Sequence, residues 1–213
     1  MPEWHQTLIG AIVPTSVTRQ QYFDSAYKLL SSEGFTSLQV VRLCSVLGVT
    51  TGSFYNYFRN LNDFIAQFLQ TWRQDETKRI IEVAEVIDEP AERFRKLSEQ
   101  AMTVPHEAEA ELRAWSRVNE MVHAVQHEVD ELRLGLIRRA VLNLLPCDPQ
   151  ANHLAALGLS IVVGMQQLQS PIDHAQLKWA LDQYVHLVLA RASGSSEAIT
   201  VAPDRRDLHQ TQV

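Results

Sequence analysis

The sequence predicts an all-α protein of about nine helices, with an N-terminal three-helix head of the helix-turn-helix kind on a larger C-terminal helical domain. Three observations predict it. Apolar residues recur at steps of three and four along most of the chain, and no stretch shows the period of two that marks a strand. Gly48 lies between a short apolar helix and a still shorter one, where a left-handed backbone costs glycine little and lets the chain turn. With 213 residues, 46% of them apolar, there is ample material for a core.

Taken in order, residues 1–16 contain Pro2, Gly10 and Pro14 and read as a flexible arm. From Thr18, the residues Tyr22, Phe23, Ala26, Tyr27, Leu29 and Leu30 fall on one helical face, and Gly34 closes that helix. Ser37 to Leu47 carries a second apolar stripe ending at Gly48, and a very short third helix follows. Asn60 with Asp63 three residues on is a cap signal, and Leu61, Phe64, Ile65, Phe68, Leu69 and Trp72 trace a fourth helix running towards Ile87. Pro90 ends or restarts it. Further helices are expected at about 90–103, 107–118 and 120–145, separated by Pro105, Asn119 and the loop from Pro146 to Pro149. Two strongly apolar helices joined near Pro171 follow, and 193–213 lacks periodicity and reads as a disordered tail.

The third helix and its flanks hold the densest chemistry. Thr50 stands where it can cap the helix while the first amides face a phosphate, and Gly52 lacks a side chain where the helix must approach a DNA backbone. Ser53, Tyr55 and Tyr57 can donate to phosphate oxygens, whereas Asn56 matches the N6 and N7 edge of adenine in the major groove. Phe54 and Phe58, four apart, are expected to face inward and hold this helix to the head. Arg19, Arg42 and Arg59 are candidate phosphate contacts.

The run Gly48, Val49, Thr50, Gly52, Ser53, Phe54, Tyr55 and Phe58 resembles the turn-and-helix signature of the tetracycline-repressor (TetR) family, and the likeness extends from Thr18 to Leu61. Between the arm over 1–16 and the tail over 193–213, the resemblance implies a DNA-binding domain at 17–60 and a ligand-binding and dimerisation domain at 61–192. It further implies a homodimeric transcriptional regulator, a repressor released from a palindromic operator in double-stranded DNA by a small-molecule effector. The alternatives are an architectural or cell-division factor controlled by a protein partner and a helical binding protein whose head no longer reads DNA. Two positions depart from the family. Thr51, placed among the DNA-contacting residues, and Leu61 both stand where lysine is common.

Net charge is −6, an unusual sign for a DNA-binding protein until it is divided. Residues 17–59 hold four basic and two acidic residues, and the remainder holds 15 basic and 23 acidic ones. A weakly basic head on an acidic body is the expected layout.

In the body, residue type alone singles out Trp72, Met102, Trp115, Met121 and Gln166 as pocket candidates, since they are aromatic, polarizable or polar groups within apolar helices. Leu154, Gly158, Ile161, Met165 and Leu168 form one seam, and Leu177, Leu181, Tyr184 and Val188 a second. Helices apolar on every side must be covered on every side, so these seams are expected to form a dimer interface, in the place where the TetR family has its four-helix interface. His123 and His127 lie four apart with Asp130 beyond, but on the face opposite the apolar stripe, so no metal site is expected. The chain shows no glycine-rich phosphate loop, paired catalytic carboxylates or marked nucleophile, so neither catalysis nor a cofactor is expected. Cys44 and Cys147 are too few for a disulfide framework, and Cys44 is expected to be a packed thiol. Without a secretory signal or an apolar run long enough to span a bilayer, a cytoplasmic location is expected.

Overall fold

A computed structural model describes residues 17–194, apart from the side chains of 80–86. The arm over 1–16 and all of the tail beyond Gly194 lie outside the described residues.

Local chemistry sets the helix ends. Helix α1 (Arg19–Glu33) begins with a capping box in which the Thr18 hydroxyl accepts from the Gln21 amide and the Thr18 amide donates to the Gln21 side-chain oxygen. It closes at Gly34, whose φ of 79° lies in the region that favours glycine. A 3-10 turn over Phe35–Ser37 leads into α2 (Val40–Leu47), and Gly48, at φ 66° and ψ 31°, turns the chain into α3 (Thr51–Tyr55). Asn60 then caps α4 (Leu61–Val86) by accepting from the Asp63 amide at 2.9 Å. Pro90 opens α5 (Pro90–Ala101) at the position where its missing N–H costs nothing. The remaining helices are α6 (His106–Trp115), α7 (Glu120–Leu144), α8 (Ala151–Leu168) and α9 (His174–Ala192).

An aromatic core holds the head together. Tyr22 and Phe23 of α1, Phe54 of α3, Phe58, and Phe64 and Phe68 of α4 are all buried, with ring centroids 4.9–6.2 Å apart. Leu43 and Cys44 of α2 complete this core, and burial pushes the Cys44 thiol up. The same cluster continues into the body through Trp72, Leu112, Val122 and Val129. Head and body therefore share packing, and α4 is one unbroken helix through both. At the junction, Phe35 stacks on Trp115 with ring planes 9° apart, and the Phe35 amide donates to Glu111 at 3.1 Å.

Most residues of the expected dimer seam pack within this one chain. Leu154, Gly158, Leu177, Leu181, Tyr184 and Val188 are buried within this one chain, Ile161 and Met165 are half-buried against it, and only Leu168 is exposed. Helices α8 and α9 lay that face on α5, α6 and α7. Their opposite faces stay open, with Leu157, Leu168, Trp179 and Leu187 exposed. Both helices are apolar all round, so spacing alone offered two stripes, and the deeper one belongs to the core.

Candidate nucleic-acid interface and body cavity

The segment Thr50–Arg59 presents its polar residues outward because Phe54 and Phe58 are fixed inward. Phe54 and Phe58 are fully buried, while Thr50, Thr51, Gly52, Tyr55, Asn56 and Arg59 are exposed and Ser53 and Tyr57 half-buried. The buried Tyr22 hydroxyl donates to Ser53 Oγ at 3.1 Å, which leaves the Ser53 proton free to donate outward. Tyr57 packs on Tyr22, with centroids 5.8 Å apart. Asn56 follows the last turn of α3 with its side chain in solvent.

The caps distinguish the helix pair from its neighbours. Thr18 and Asn60 satisfy the first amides of α1 and α4, whereas neither Gln39 nor Thr50 makes a side-chain cap bond at the start of α2 or α3. Thr50 occupies the expected capping position, but its hydroxyl does not bond the helix. Amides left open at a helix start are available to a phosphate.

All three candidate arginines have partners inside the chain. Arg42 pairs with Glu33, and Arg59 with Asp63 at 3.1 Å. The Arg59 amide and guanidinium together hold the Asp63 carboxyl down at about 2. Arg19 donates to Gln67 and lies 5.5 Å from the Phe58 ring centroid. Exposed pairs of this kind are worth roughly 0–1 kcal/mol, so they open readily to a phosphate, yet they lower the positive field of the head. Gln39 and Val41 also stand exposed on the outer side of α2, a position that a reading of its apolar stripe could not separate from core.

The body holds a cavity of about 90 Å³ between α4, α5, α7 and α8. Its walls are Leu97, Ala101 and Val104, then Leu136 and Ile137, then Leu159, Val162 and Val163, with Glu76, Arg79, Gln100 and Arg133 supplying the polar atoms. None of the five candidates chosen by residue type lines it, although Gln166 lines a second, more polar cavity of about 620 Å³ beside the ends of α1 and α8 and along α6. Trp72 fills the shared core, Trp115 stacks on Phe35, Met102 packs beside Ile172, Leu177 and Leu181, and Met121 is exposed. Large side chains fill space, whereas small branched ones leave it, so choosing by size pointed away from the cavity.

Gln166 instead joins a buried polar network. Its amide nitrogen lies 3.1 Å from His106 Nδ1 and donates to Glu109 at 3.1 Å. An amide nitrogen only donates, so this contact requires His106 Nδ1 as the acceptor. Arg133 bridges Glu109 to Glu76, and burial of this guanidinium is outweighed by the two carboxylates, which raise its pKa. Burial also opposes ionisation of Glu109, but Arg133 prevails and holds that carboxyl below its usual range. His123 and His127 are exposed, and Asp130 is engaged by Arg113 at 2.7 and 2.8 Å.

No family model and no curated protein matches the chain by sequence. Solved structures do match it by fold. A protein described as a transcriptional regulator from Saccharomonospora viridis, in complex with choline, superposes with a TM-score of 0.68 at 14% identity, over 79% of this chain and 95% of that one. A TetR transcription regulator from Haloarcula marismortui gives 0.63 at 17% identity, over 83% and 96%. The transcriptional regulator FadR from Bacillus subtilis, in complex with stearoyl-CoA, gives 0.63 at 14% identity, over 81% and 98%. The chain has the fold of TetR-family transcriptional regulators: a helix-turn-helix head and a C-terminal helical domain.

Proposed function

We propose that this chain is a ligand-responsive transcriptional regulator of the TetR family, acting as a homodimer that represses from a palindromic operator. The carrying observation is α3, with Phe54 and Phe58 locked into the aromatic core so that Thr50, Thr51, Gly52, Tyr55 and Asn56 face outward. Asn56 reads a base edge, and Ser53, Tyr55, Tyr57 and the open amides of α2 and α3 hold phosphates. Arg19, Arg42 and Arg59 add the cationic contacts, the last two by exchanging carboxylate for phosphate.

Two copies pair through the open outer face of α8 and α9, around Leu157, Trp179 and Leu187, which sets the spacing of the two heads. The effector enters the body cavity. Two solved structures of this fold carry small molecules, choline in one and stearoyl-CoA in the other, which supports a ligand-responsive body. A ligand acts by binding more tightly to the head spacing that does not fit the operator.

Selection of genomic fragments by the purified protein tests the reading. Enrichment of one palindromic sequence, protected as two half-sites, is the expected outcome. Recovery of fragments without a shared sequence would remove the operator from the proposal.

A further inference from the structure

Among the described side chains, the body cavity is lined mostly by apolar groups, together with the charges of Glu76, Arg79 and Arg133, which are already engaged with one another. Arg133 donates from Nε and Nη2 to Glu76 at 3.1 and 2.7 Å and from Nη1 to Glu109 at 3.0 Å. Arg79 donates to the other Glu76 oxygen. Two guanidinium groups meet two carboxylates in this network, with Glu109 pairing to Arg133 without itself lining the space, so among the described side chains the charges of the network balance. An anion or cation entering this space would leave one charge uncompensated in a poorly solvated site, which is costly. Gln100, half-buried on the same rim, brings an amide able to hydrogen-bond a neutral oxygen without disturbing that balance.

We propose that the cavity selects a small neutral apolar molecule with one polar end group, such as a ketone, and discriminates against carboxylates and ammonium ions of the same length. The selectivity deepens the effector reading above and rests on it. Size adds a consequence. The cavity of about 90 Å³ is smaller than the roughly 150 Å³ that admits benzene, so a medium-length ligand has to push α4, α5, α7 and α8 apart. Helix α4 carries Glu76 and Arg79 at this wall and Phe64 and Phe68 in the head, so the displacement reaches the DNA-facing end.

The test is calorimetry and methyl NMR of the full chain with 2-hexanone, hexanoate and hexylammonium. The ketone is expected to bind roughly tenfold or more tightly than either ion, with shifts at Leu136, Ile137 and Val162. Glu76→Gln leaves one positive charge in excess and should bring hexanoate level with the ketone. Arg79→Gln, at a half-exposed position that does not threaten folding, should do the same for hexylammonium. Val162→Trp fills the space and should abolish all three. An ion that binds the unaltered protein as tightly as the ketone, the absence of any binding, or binding that survives Val162→Trp overturns the proposal. Ketone binding with the expected selectivity but no release of operator DNA supports the cavity assignment and overturns the effector reading alone.

Discussion

The ring of Tyr184 lies against Gly158 so closely that a Cβ at position 158 would sit 2.6 Å from its Cζ. The Tyr184 hydroxyl donates to the Leu154 carbonyl at 2.9 Å, which fixes the ring there. Helices α8 and α9 are thus held together by the absence of a side chain.

Gly158→Ala is expected to destabilise the protein by about 1–3 kcal/mol through overpacking, despite the better helix propensity of alanine. Tyr184→Phe should cost about 1 kcal/mol through the lost hydrogen bond. Urea denaturation measures both, and adding Tyr184→Leu to Gly158→Ala should recover part of the loss if the clash is the cause.

The exposed and buried stripes of α8 and α9 should respond oppositely to charge. Leu157→Glu and Trp179→Glu are expected to give folded monomers by light scattering that no longer hold operator DNA. Leu181→Glu should fail to fold, because it buries a carboxylate without a partner. A folded dimer from either of the first two would place the interface elsewhere.

Stability should fall on mild acidification. Burial lowers the His106 pKa, so below the ordinary histidine range of about 6.5 the unfolded chain takes up a proton that the folded chain refuses. Stability from this source is present above that pH and is lost as pH falls towards the folded value. Thermal melts of His106→Leu against the parent should show a flatter pH profile as pH falls below about 6.5.

If the proposed base readout holds, Asn56→Ala, just after α3, is expected to cost about 1–3 kcal/mol at the cognate base pair and to relax preference there. Tyr55→Phe should weaken all sequences alike, as measured by anisotropy on operator and random duplexes. Equal loss on both duplexes for Asn56→Ala would assign it to phosphate.

The salt dependence should be shallow. Three arginines per subunit give at most about six neutralised phosphates, hence a slope of log affinity against log salt no steeper than roughly −5. Thr51→Lys, at an exposed position of α3, should tighten binding and steepen the slope by roughly two units per dimer without changing the preferred operator. An unchanged slope would turn Thr51 away from the phosphates.

The head was legible because its signals are local. Gly34 and Gly48 stop helices through backbone conformation, Thr18 and Asn60 start them through side-chain caps, and Phe54 and Phe58 fall inward by helical spacing. The body obeyed the same rules for its helix boundaries, with Pro90, Pro105 and Asn119 where helices begin. What spacing could not supply was the choice of face on α8 and α9, since Leu157 and Leu154 are chemically alike and only the packing of α5, α6 and α7 decides between them. The cavity was equally hidden. It is a gap among Leu, Val and Ala side chains, and a gap leaves no residue type behind.

Helix α4 has 26 residues and is therefore about 39 Å long. Swung about its body end by only about 5°, it moves its opposite end by about 3.4 Å, one nucleotide step along a DNA strand. In the proposed homodimer, a shift of about 1.3 Å at Glu76 on the cavity wall would thus become misregistry by a whole base pair at the far end of the helix, and both copies would move.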